Sequence, residues 1–173
     1  MGRDKATLPL SGEALWLGRL AVLRDLKPAA IWISAREKPR WAPSGVEIIL
    51  DTPPSRGPLS GIAAGLNRIQ TSHLLALAVD LPRMTTEHLL KLAGMTDDGC
   101  GVIAKNNDHL EPLSAIYPRE AAPIVQHALT LSDLSMQTFA KKLLEQGLLK
   151  EYKLAPEERD LYLNVNTPSD LPP

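Results

Sequence analysis

A carboxylate follows an apolar run near the middle of the chain. Asp80 comes directly after His73–Val79 and before Leu81 and Pro82. Ligands of open parallel sheets bind beyond the carboxyl ends of the strands, so this position favours a functional side chain. A carboxylate there suits Mg²⁺, which typically uses one or two carboxylates together with substrate phosphates. A turn-forming aspartate that caps the next segment explains Asp80 equally well from local sequence alone.

Two more polar residues end short apolar runs. Ser34 follows Ala30–Ile33, and Asp51 follows Val46–Leu50, where a proline-rich turn explains the aspartate somewhat better than function does. Residues 56–61, Arg-Gly-Pro-Leu-Ser-Gly, then form a glycine-bearing loop that enters a predicted helix. Such a loop lets backbone N–H groups approach an anion. The signal is weak, because many strand-to-helix turns look like this.

Near the two ends of the chain stand a lysine and two asparagines. Lys5 precedes a strand-like stretch, Thr7–Leu10, although a lone lysine is usually a solvated surface residue. Asn164 and Asn166 are separated by one residue, so they would share one face of a strand. Residues 167–170, Thr-Pro-Ser-Asp, already have a structural explanation as an acidic capping box.

Composition excludes several classes of protein. The 173 residues include 44% hydrophobic and 23% charged residues with a net charge of -1, which is ordinary for a folded soluble domain. Near-neutral charge without a long basic run argues against nucleic acid as a partner, and no apolar stretch reaches the ~20 residues that cross a bilayer. Cys100 is the single cysteine, and the four histidines do not fall at metal-ligand spacing. No signal peptide is visible, so the cytoplasm is the expected location.

Apolar runs of strand length alternate with helical patterns along most of the chain. Residues 73–79 lack polar alternation, which predicts a strand covered on both faces, as in a parallel sheet flanked by helices. We therefore predict a single α/β domain over residues 1–173, with three layers and a mostly parallel sheet. The predicted helices cover 13–26, 60–70, 87–93, 119–129 and 136–145, and the predicted strands cover 30–34, 46–50, 73–79, 102–105, 113–117, 150–154 and 162–165.

Five short motifs occur in an order that resembles one enzyme family. They are Met-Gly-Arg-Asp-Lys-Ala at 1–6, Asp51 followed by Gly-Pro-Leu-Ser-Gly-Ile at 57–62, Val-Asp-Leu-Pro at 79–82, Glu-Pro-Leu-Ser-Ala-Ile-Tyr at 111–117 and Asn-Val-Asn-Thr-Pro at 164–168. The order is similar to that of the molybdenum cofactor guanylyltransferases, or MobA-like proteins. This resemblance implies a Rossmann-like nucleotidyltransferase fold that uses GTP and Mg²⁺ in the cytoplasm to attach GMP to molybdopterin. Molybdoenzymes or other cofactor-biosynthesis proteins would be its protein partners.

The resemblance also assigns roles to the candidate residues. Lys5 matches a catalytic lysine that contacts the nucleotide phosphates, and Asp51 matches a nucleotide-contacting aspartate. Asp80 matches the catalytic aspartate that binds both nucleotide and Mg²⁺. Asn164 and Asn166 match asparagines associated with the pterin substrate. In the implied reaction the terminal phosphate of molybdopterin attacks the α-phosphorus of GTP and displaces pyrophosphate, so no protein nucleophile is required.

The chain departs from the family pattern in three places. The family opens with a central strand and a Leu-Ala-Gly-Gly-x-Ser-x-Arg loop, whereas this sequence begins after that loop, so we expect its true beginning to lie upstream. Ser34 stands where the family has a nucleotide-binding asparagine, and its shorter side chain still offers a hydrogen bond. Ser-Met-Gln at 135–137 replaces an expected basic residue, which leaves the binding of the pterin phosphate open.

Two other functions stay open at this point. A related nucleotidyltransferase could use CTP or make a sugar nucleotide, although such cytidylyl enzymes tend to place an acidic residue where Asn166 precedes Thr-Pro. A truncated remnant could instead bind a molybdopterin-handling partner without turnover, since the phosphate-binding loop is absent from the sequence.

Overall fold

Helices and strands alternate along the computed structural model, which describes residues 5–7, 9–10, 13–51 and 54–165. The alternation and the layers described below confirm the predicted α/β class. The α-helices are α1 (Leu15–Asp25), α2 (Pro58–Leu66), α3 (Thr86–Ala93), α4 (Ala122–Ala128) and α5 (Met136–Glu145). The strands are β1 (Pro9–Leu10), β2 (Glu13–Ala14), β3 (Trp32–Ala35), β4 (Glu47–Leu50), β5 (His73–Leu77), β6 (Gly101–Asn106), β7 (His109–Pro118) and β8 (Leu149–Lys153). Short 3₁₀ helices cover Lys5–Thr7, Arg119–Ala121 and Pro156–Tyr162.

Strand pairing is mixed rather than mostly parallel. The largest sheet has the order β5-β7-β6-β8, in which only β6 and β8 are parallel. The separate pair β3-β4 is also parallel, whereas β1 and β2 are antiparallel. The difference from the prediction arises at Asn107, whose φ of 54° suits a tight turn. Only two residues join β6 to β7, and so short a connection forces the two strands into an antiparallel hairpin.

The largest sheet is covered on both faces. Ile103 and Ala104 are consecutive in β6 and therefore point to opposite faces, yet both are fully buried. Ile103 packs in a cluster with apolar residues of α2, α4 and α5, such as Phe139. Ala104 packs in another cluster that contains Leu89 of α3. Helices thus lie on either side of the sheet, which is the predicted three-layer arrangement.

Some predicted boundaries are wrong. Helix α2 begins at Pro58 rather than at residue 60, because proline is well tolerated in the first turn. Helix α3 begins at Thr86 rather than at residue 87, because Thr85 caps it by accepting a hydrogen bond from the N–H of His88. Residues 162–165 are not a strand, since Tyr162 ends a 3₁₀ helix and Leu163–Val165 has no regular structure. The predicted capping box at 167–170 lies outside the described residues.

A large cleft separates β3 from β5. Within the described part of the chain, β3 pairs only with β4 and β5 only with β7, so each strand keeps one edge without a strand partner. Between them lies a cavity of about 1280 Å³ lined by mostly apolar residues of α1, β3, α2 and β5. All five side chains of β5 are consequently half-buried, whereas the sequence predicted a strand covered on both faces. An open apolar edge of this kind is normally covered in a folded protein.

Candidate functional site

Asp80 lies in the turn that follows β5, where it borders a small cavity. The cavity measures about 330 Å³ and lies between this turn, the start of β7, the start of α5 and the segment after the last 3₁₀ helix. Its polar side chains belong to Asp80, His109, Glu111, Gln137 and Asn164. Among the described residues that line it, none is lysine or arginine. The cavity is therefore rich in hydrogen-bond acceptors and poor in positive charge.

Arg19 of α1 holds the turn that carries Asp80. Its guanidinium group donates to the carbonyls of Leu81 (2.5 Å), Pro82 (2.6 Å) and Met84 (3.0 Å). Burial lowers the pKa of this guanidinium group, but arginine stays charged in proteins. Three charge-assisted hydrogen bonds to this one turn fix the position from which Asp80 projects. No sequence motif had pointed to Arg19.

Asn164 is placed beside Asp80 by a backbone hydrogen bond. The N–H of Val165 donates to the carbonyl of Asp80 at 2.9 Å, so the residue before Val165 lines the same cavity as the aspartate. Asp80 and Asn164 are 84 positions apart in the sequence, and the structure brings together two of the predicted site residues. Asn166 lies outside the described residues.

The segment that carries Asn164 is anchored to α3 by a polar network. Glu158 accepts hydrogen bonds from Lys91 (2.7 Å), from the hydroxyl of Tyr152 (2.6 Å) and from the N–H of Ala155 (2.9 Å). Burial opposes ionisation of Glu158, but these hydrogen bonds outweigh it and lower its pKa to about 2. Buried His88 adds a hydrogen bond of 2.8 Å to the hydroxyl of Tyr162. The network fixes the path of the chain towards Asn164.

Gln137 occupies the region where the family pattern predicts a basic residue. Its amide clamps the backbone of Leu110, accepting from the N–H at 3.2 Å and donating to the carbonyl at 2.7 Å. Both halves of the amide are thus engaged in joining α5 to β7. None of the described residues that line the cavity is a lysine or arginine that could replace the expected basic residue.

Ser34 and Asp51 form a second group at the large cleft. Asp51 is buried, and its carboxylate accepts hydrogen bonds from the hydroxyls of Ser34 (3.4 Å) and Ser55. The N–H of Asp51 donates to the carbonyl of Ala35, the last residue of β3, at 3.0 Å. Both predicted residues border the cleft between β3 and β5. Asp51 therefore joins the end of β4 to β3 and to the loop before α2, and it borders the cleft.

Two glycines shape the loop that leads from Asp51 into α2. Gly57 has a φ of 72°, a conformation that side chains other than glycine rarely adopt. Gly61 allows α2 to approach β3 closely, because a Cβ atom at this position would lie 2.5 Å from Oγ of Ser34. The weak glycine signal in the sequence thus marks a close helix–strand contact beside Asp51.

The two groups of predicted residues lie next to each other. Ala78 and Leu113 line both the large cleft and the small cavity, so the two spaces meet at the end of β5. Lys5 lies in the 3₁₀ helix Lys5–Thr7, but its side chain is outside the described residues. The neighbouring Ala6 is buried and lines the large cleft.

Comparison with known proteins identifies the family. A family model described as "MobA-like NTP transferase domain" matches residues 1–148. The chain belongs to this family. The "Probable molybdenum cofactor guanylyltransferase" of Opitutus terrae is 34% identical over 98% of this chain and 86% of the relative. The "Molybdenum cofactor guanylyltransferase" of Pseudomonas fluorescens is 28% identical over 96% of this chain and 82% of the relative.

Solved structures agree with this membership. The molybdopterin-guanine dinucleotide biosynthesis protein A of Archaeoglobus fulgidus superposes with a TM-score of 0.73 at 25% identity, covering 98% of this chain and 87% of that protein. The 2-C-methyl-D-erythritol 4-phosphate cytidylyltransferase of Thermus thermophilus has a TM-score of 0.67 at 13% identity, over 96% of this chain and 89% of that protein, and shows the fold alone. This MobA-like protein is a nucleotidyltransferase. None of its described helices has the length and apolar character needed to span a membrane.

Glu111 is a feature of the MobA-like site that the sequence analysis did not single out. It lines the small cavity from β7, and burial raises its pKa to about 7. The described residues give its carboxylate no hydrogen-bond donor or ion-pair partner. A signal was present, since Glu111 is the charged residue within the run Leu110–Leu113.

Glu111→Gln is expected to stabilise this MobA-like protein much more at pH 8 than at pH 5. Folded Glu111 keeps its proton up to a pH of about 7, whereas unfolded glutamate releases it near 4.5, so this residue lowers the free energy of unfolding as pH rises between these values. The gain should be about 1–3 kcal/mol at pH 8, discounted for partial solvent screening. Thermal melts at pH 5 and pH 8 measure it, with the exposed Glu145→Gln as control. An equal gain at both pH values would contradict the assignment.

Proposed function

We propose that this chain transfers GMP from GTP to the terminal phosphate of molybdopterin, which yields molybdopterin guanine dinucleotide and pyrophosphate. One observation carries the proposal. The hydrogen bond from Val165 to Asp80 places Asn164 and Asp80 at the same cavity. The family resemblance assigns these two residues to opposite substrates, the pterin and the nucleotide. A site that joins them is what a transfer between the two substrates needs.

The residues around Asp80 fit a magnesium ion. A carboxylate oxygen is a hard donor of the kind that Mg²⁺ prefers, and Asp80 supplies one at the cavity. In the described part of the chain no three acidic, histidine or cysteine side chains gather as a dedicated metal cage. This suits Mg²⁺, which takes much of its coordination from substrate phosphates and water. When bound, the ion would neutralise charge on the phosphates of GTP.

The chain's own residues would act by position and charge. Asp80 would hold the nucleotide end of the site at a place fixed by Arg19, and Asn164 would orient the pterin. Ser34 and Asp51 would contact the nucleotide in the adjoining cleft, and Lys5 would offset phosphate charge. An oxygen of the terminal phosphate of molybdopterin forms a bond to the α-phosphorus of GTP while the bond to the leaving pyrophosphate breaks. In-line positioning of these groups supplies the rate.

GTP and molybdopterin are the substrates of the proposed reaction, and molybdoenzymes or cofactor-biosynthesis proteins would receive its product. We place the reaction in the cytoplasm, where GTP is available. The family membership and the names of the relatives from Opitutus terrae and Pseudomonas fluorescens support this substrate pair.

Thermal-shift titration should reveal the nucleotide preference. With Mg²⁺ present, GTP is expected to raise the melting temperature more than CTP, ATP or UTP at equal concentration, because ligand binding to the folded state stabilises it. A nucleotide present at 100 times its Kd should contribute about 2.7 kcal/mol. A clear preference for CTP would instead support the cytidylyltransferase alternative.

The open cleft between β3 and β5 favours a second candidate function. A protein in which this cleft stays open, as it is among the described residues, could bind a molybdopterin-handling partner without turnover. Release of pyrophosphate from GTP and molybdopterin separates the two candidates. Turnover supports the transferase, whereas nucleotide binding without turnover, even after an upstream segment is added, supports the binding function.

A further inference from the structure

The carboxylate of Glu111 is an unusual lining for a site that handles phosphates. It is half-buried, it faces a cavity of about 330 Å³, and its described surroundings supply no cation or hydrogen-bond donor. Its negative charge also acts on Tyr162: burial is the main cause that raises the pKa of this tyrosine, and the carboxylate of Glu111 raises it further. Burying a carboxylate without partners costs free energy, so a ligand that supplies the partners gains affinity.

The other polar groups of the cavity narrow the choice of ligand. Gln137 already uses its amide oxygen and nitrogen on the backbone of Leu110. Asp80 adds a second carboxylate, and His109 stands exposed at the start of β7. A further phosphate against Glu111 would meet repulsion, whereas a neutral ring with N–H donors would not. The cavity volume is at the lower end of the range for small-molecule sites, which suits one bicyclic ring.

A carboxylate prefers two adjacent N–H donors on one edge of a planar group. This geometry produces two parallel hydrogen bonds, as between arginine and a carboxylate. A ring with a 2-amino group beside a ring N–H presents the same pair of donors. Pterin and guanine, the two rings of the proposed reaction, both carry this edge.

We propose that Glu111 determines specificity for the pterin, by accepting two hydrogen bonds from its ring N–H and its 2-amino group. This inference rests on the proposed function and adds to it the residue that recognises the acceptor ring. The pterin is assigned rather than guanine because Glu111 shares its cavity with Asn164, whereas Ser34 and Asp51 border the other cleft.

Fluorescence titration with 6-hydroxymethylpterin and 6-hydroxymethyllumazine tests the inference directly. The lumazine has an oxygen in place of the 2-amino group, so it removes one of the two donors. Wild-type protein is expected to bind the pterin about 10–100-fold more tightly than the lumazine, since a mismatched polar edge leaves Glu111 unpaired. Glu111→Gln should lose this discrimination, whereas Glu145→Gln, exposed at the end of α5, should keep it.

A parallel comparison of GTP with ITP separates pterin from guanine, because ITP lacks the 2-amino group of guanine. Glu111→Gln should leave the ratio of the GTP and ITP affinities unchanged. If Glu111→Gln instead binds GTP and ITP with equal affinity while wild type does not, the assignment to pterin is wrong. The assignment is also wrong if the wild-type protein binds the pterin and the lumazine equally, or binds neither. Thermal melting of each variant checks the fold. Failure of GMP transfer with pterin discrimination intact would contradict the proposed function and leave the role of Glu111 standing.

Discussion

Asp80→Asn is expected to lower Mg²⁺-dependent GMP transfer at least ~100-fold while the protein stays folded, a loss of about 3 kcal/mol or more in transition-state stabilisation. Asparagine has nearly the same shape, so the hydrogen bonds from Arg19 to the backbone of residues 81–84 and from Val165 to the carbonyl of Asp80 are retained. The substitution removes the negative charge that would hold Mg²⁺ against the triphosphate. The Asp80→Asn variant therefore tests the role of the carboxylate in the reaction without altering the fold.

Two measurements separate these effects. Pyrophosphate release reports the chemical step, and the rise in melting temperature caused by GTP at several Mg²⁺ concentrations reports metal-dependent binding. Asp98→Asn is the matched control, because Asp98 is an exposed aspartate in the turn before β6 and lines neither cavity. Activity and Mg²⁺ dependence that survive in Asp80→Asn would remove Asp80 from the site. An equal loss of activity in Asp80→Asn and Asp98→Asn would indicate an effect of net charge.

The sequence predicted elements best where local signals agree with tertiary packing. Residues 136–145 were predicted as a helix and form α5, since an apolar stripe runs along them and Ser135 caps the first turn. Asp80 was placed at the end of a strand, and it lies three residues after the last residue of β5. In both cases the residues that decide the structure are neighbours in the sequence.

The prediction from sequence was wrong where contacts between distant parts of the chain determine the structure. The antiparallel pairing of β5 with β7 joins strands that are distant in the sequence, which periodicity does not encode. Residues 162–165 were predicted as a strand because they are partly apolar, but hydrogen bonds of Tyr162 to His88 and of Val165 to Asp80 hold them instead. Arg19 contacts carbonyls 62 to 65 positions away. Its sequence signal was a charge on the apolar face formed by Trp16, Leu20 and Leu23.

An apolar strand placed in the cleft between β3 and β5 is expected to raise the melting temperature by roughly 10 °C or more. Five added residues could pair with the open edges of both strands, and their side chains would be buried between the flanking helices. Each hydrogen bond contributes about 1 kcal/mol and each buried apolar side chain about 1.5–3 kcal/mol, against about 1–2 kcal/mol per residue for ordering. A net gain of several kcal/mol corresponds to that shift for a domain of this size.

The N-terminal end of the described chain lies at the cleft. Ala6 is buried and borders the cleft, so the described chain begins beside it. The fusion to compare carries an apolar strand followed by the Leu-Ala-Gly-Gly-x-Ser-x-Arg loop with which the family pattern opens.

The matched control for that fusion replaces two strand residues by proline, which removes backbone donors and prevents pairing with a neighbouring strand. The unaltered fusion should melt higher than the proline variant and should release pyrophosphate faster, because the segment completes the sheet and supplies the glycine-rich loop. Equal melting temperatures for both fusions would show that the cleft does not take a strand. The unaltered fusion could instead melt higher than the proline variant and still release no pyrophosphate. That result would confirm that a strand fills the cleft and would favour a binding protein over a guanylyltransferase.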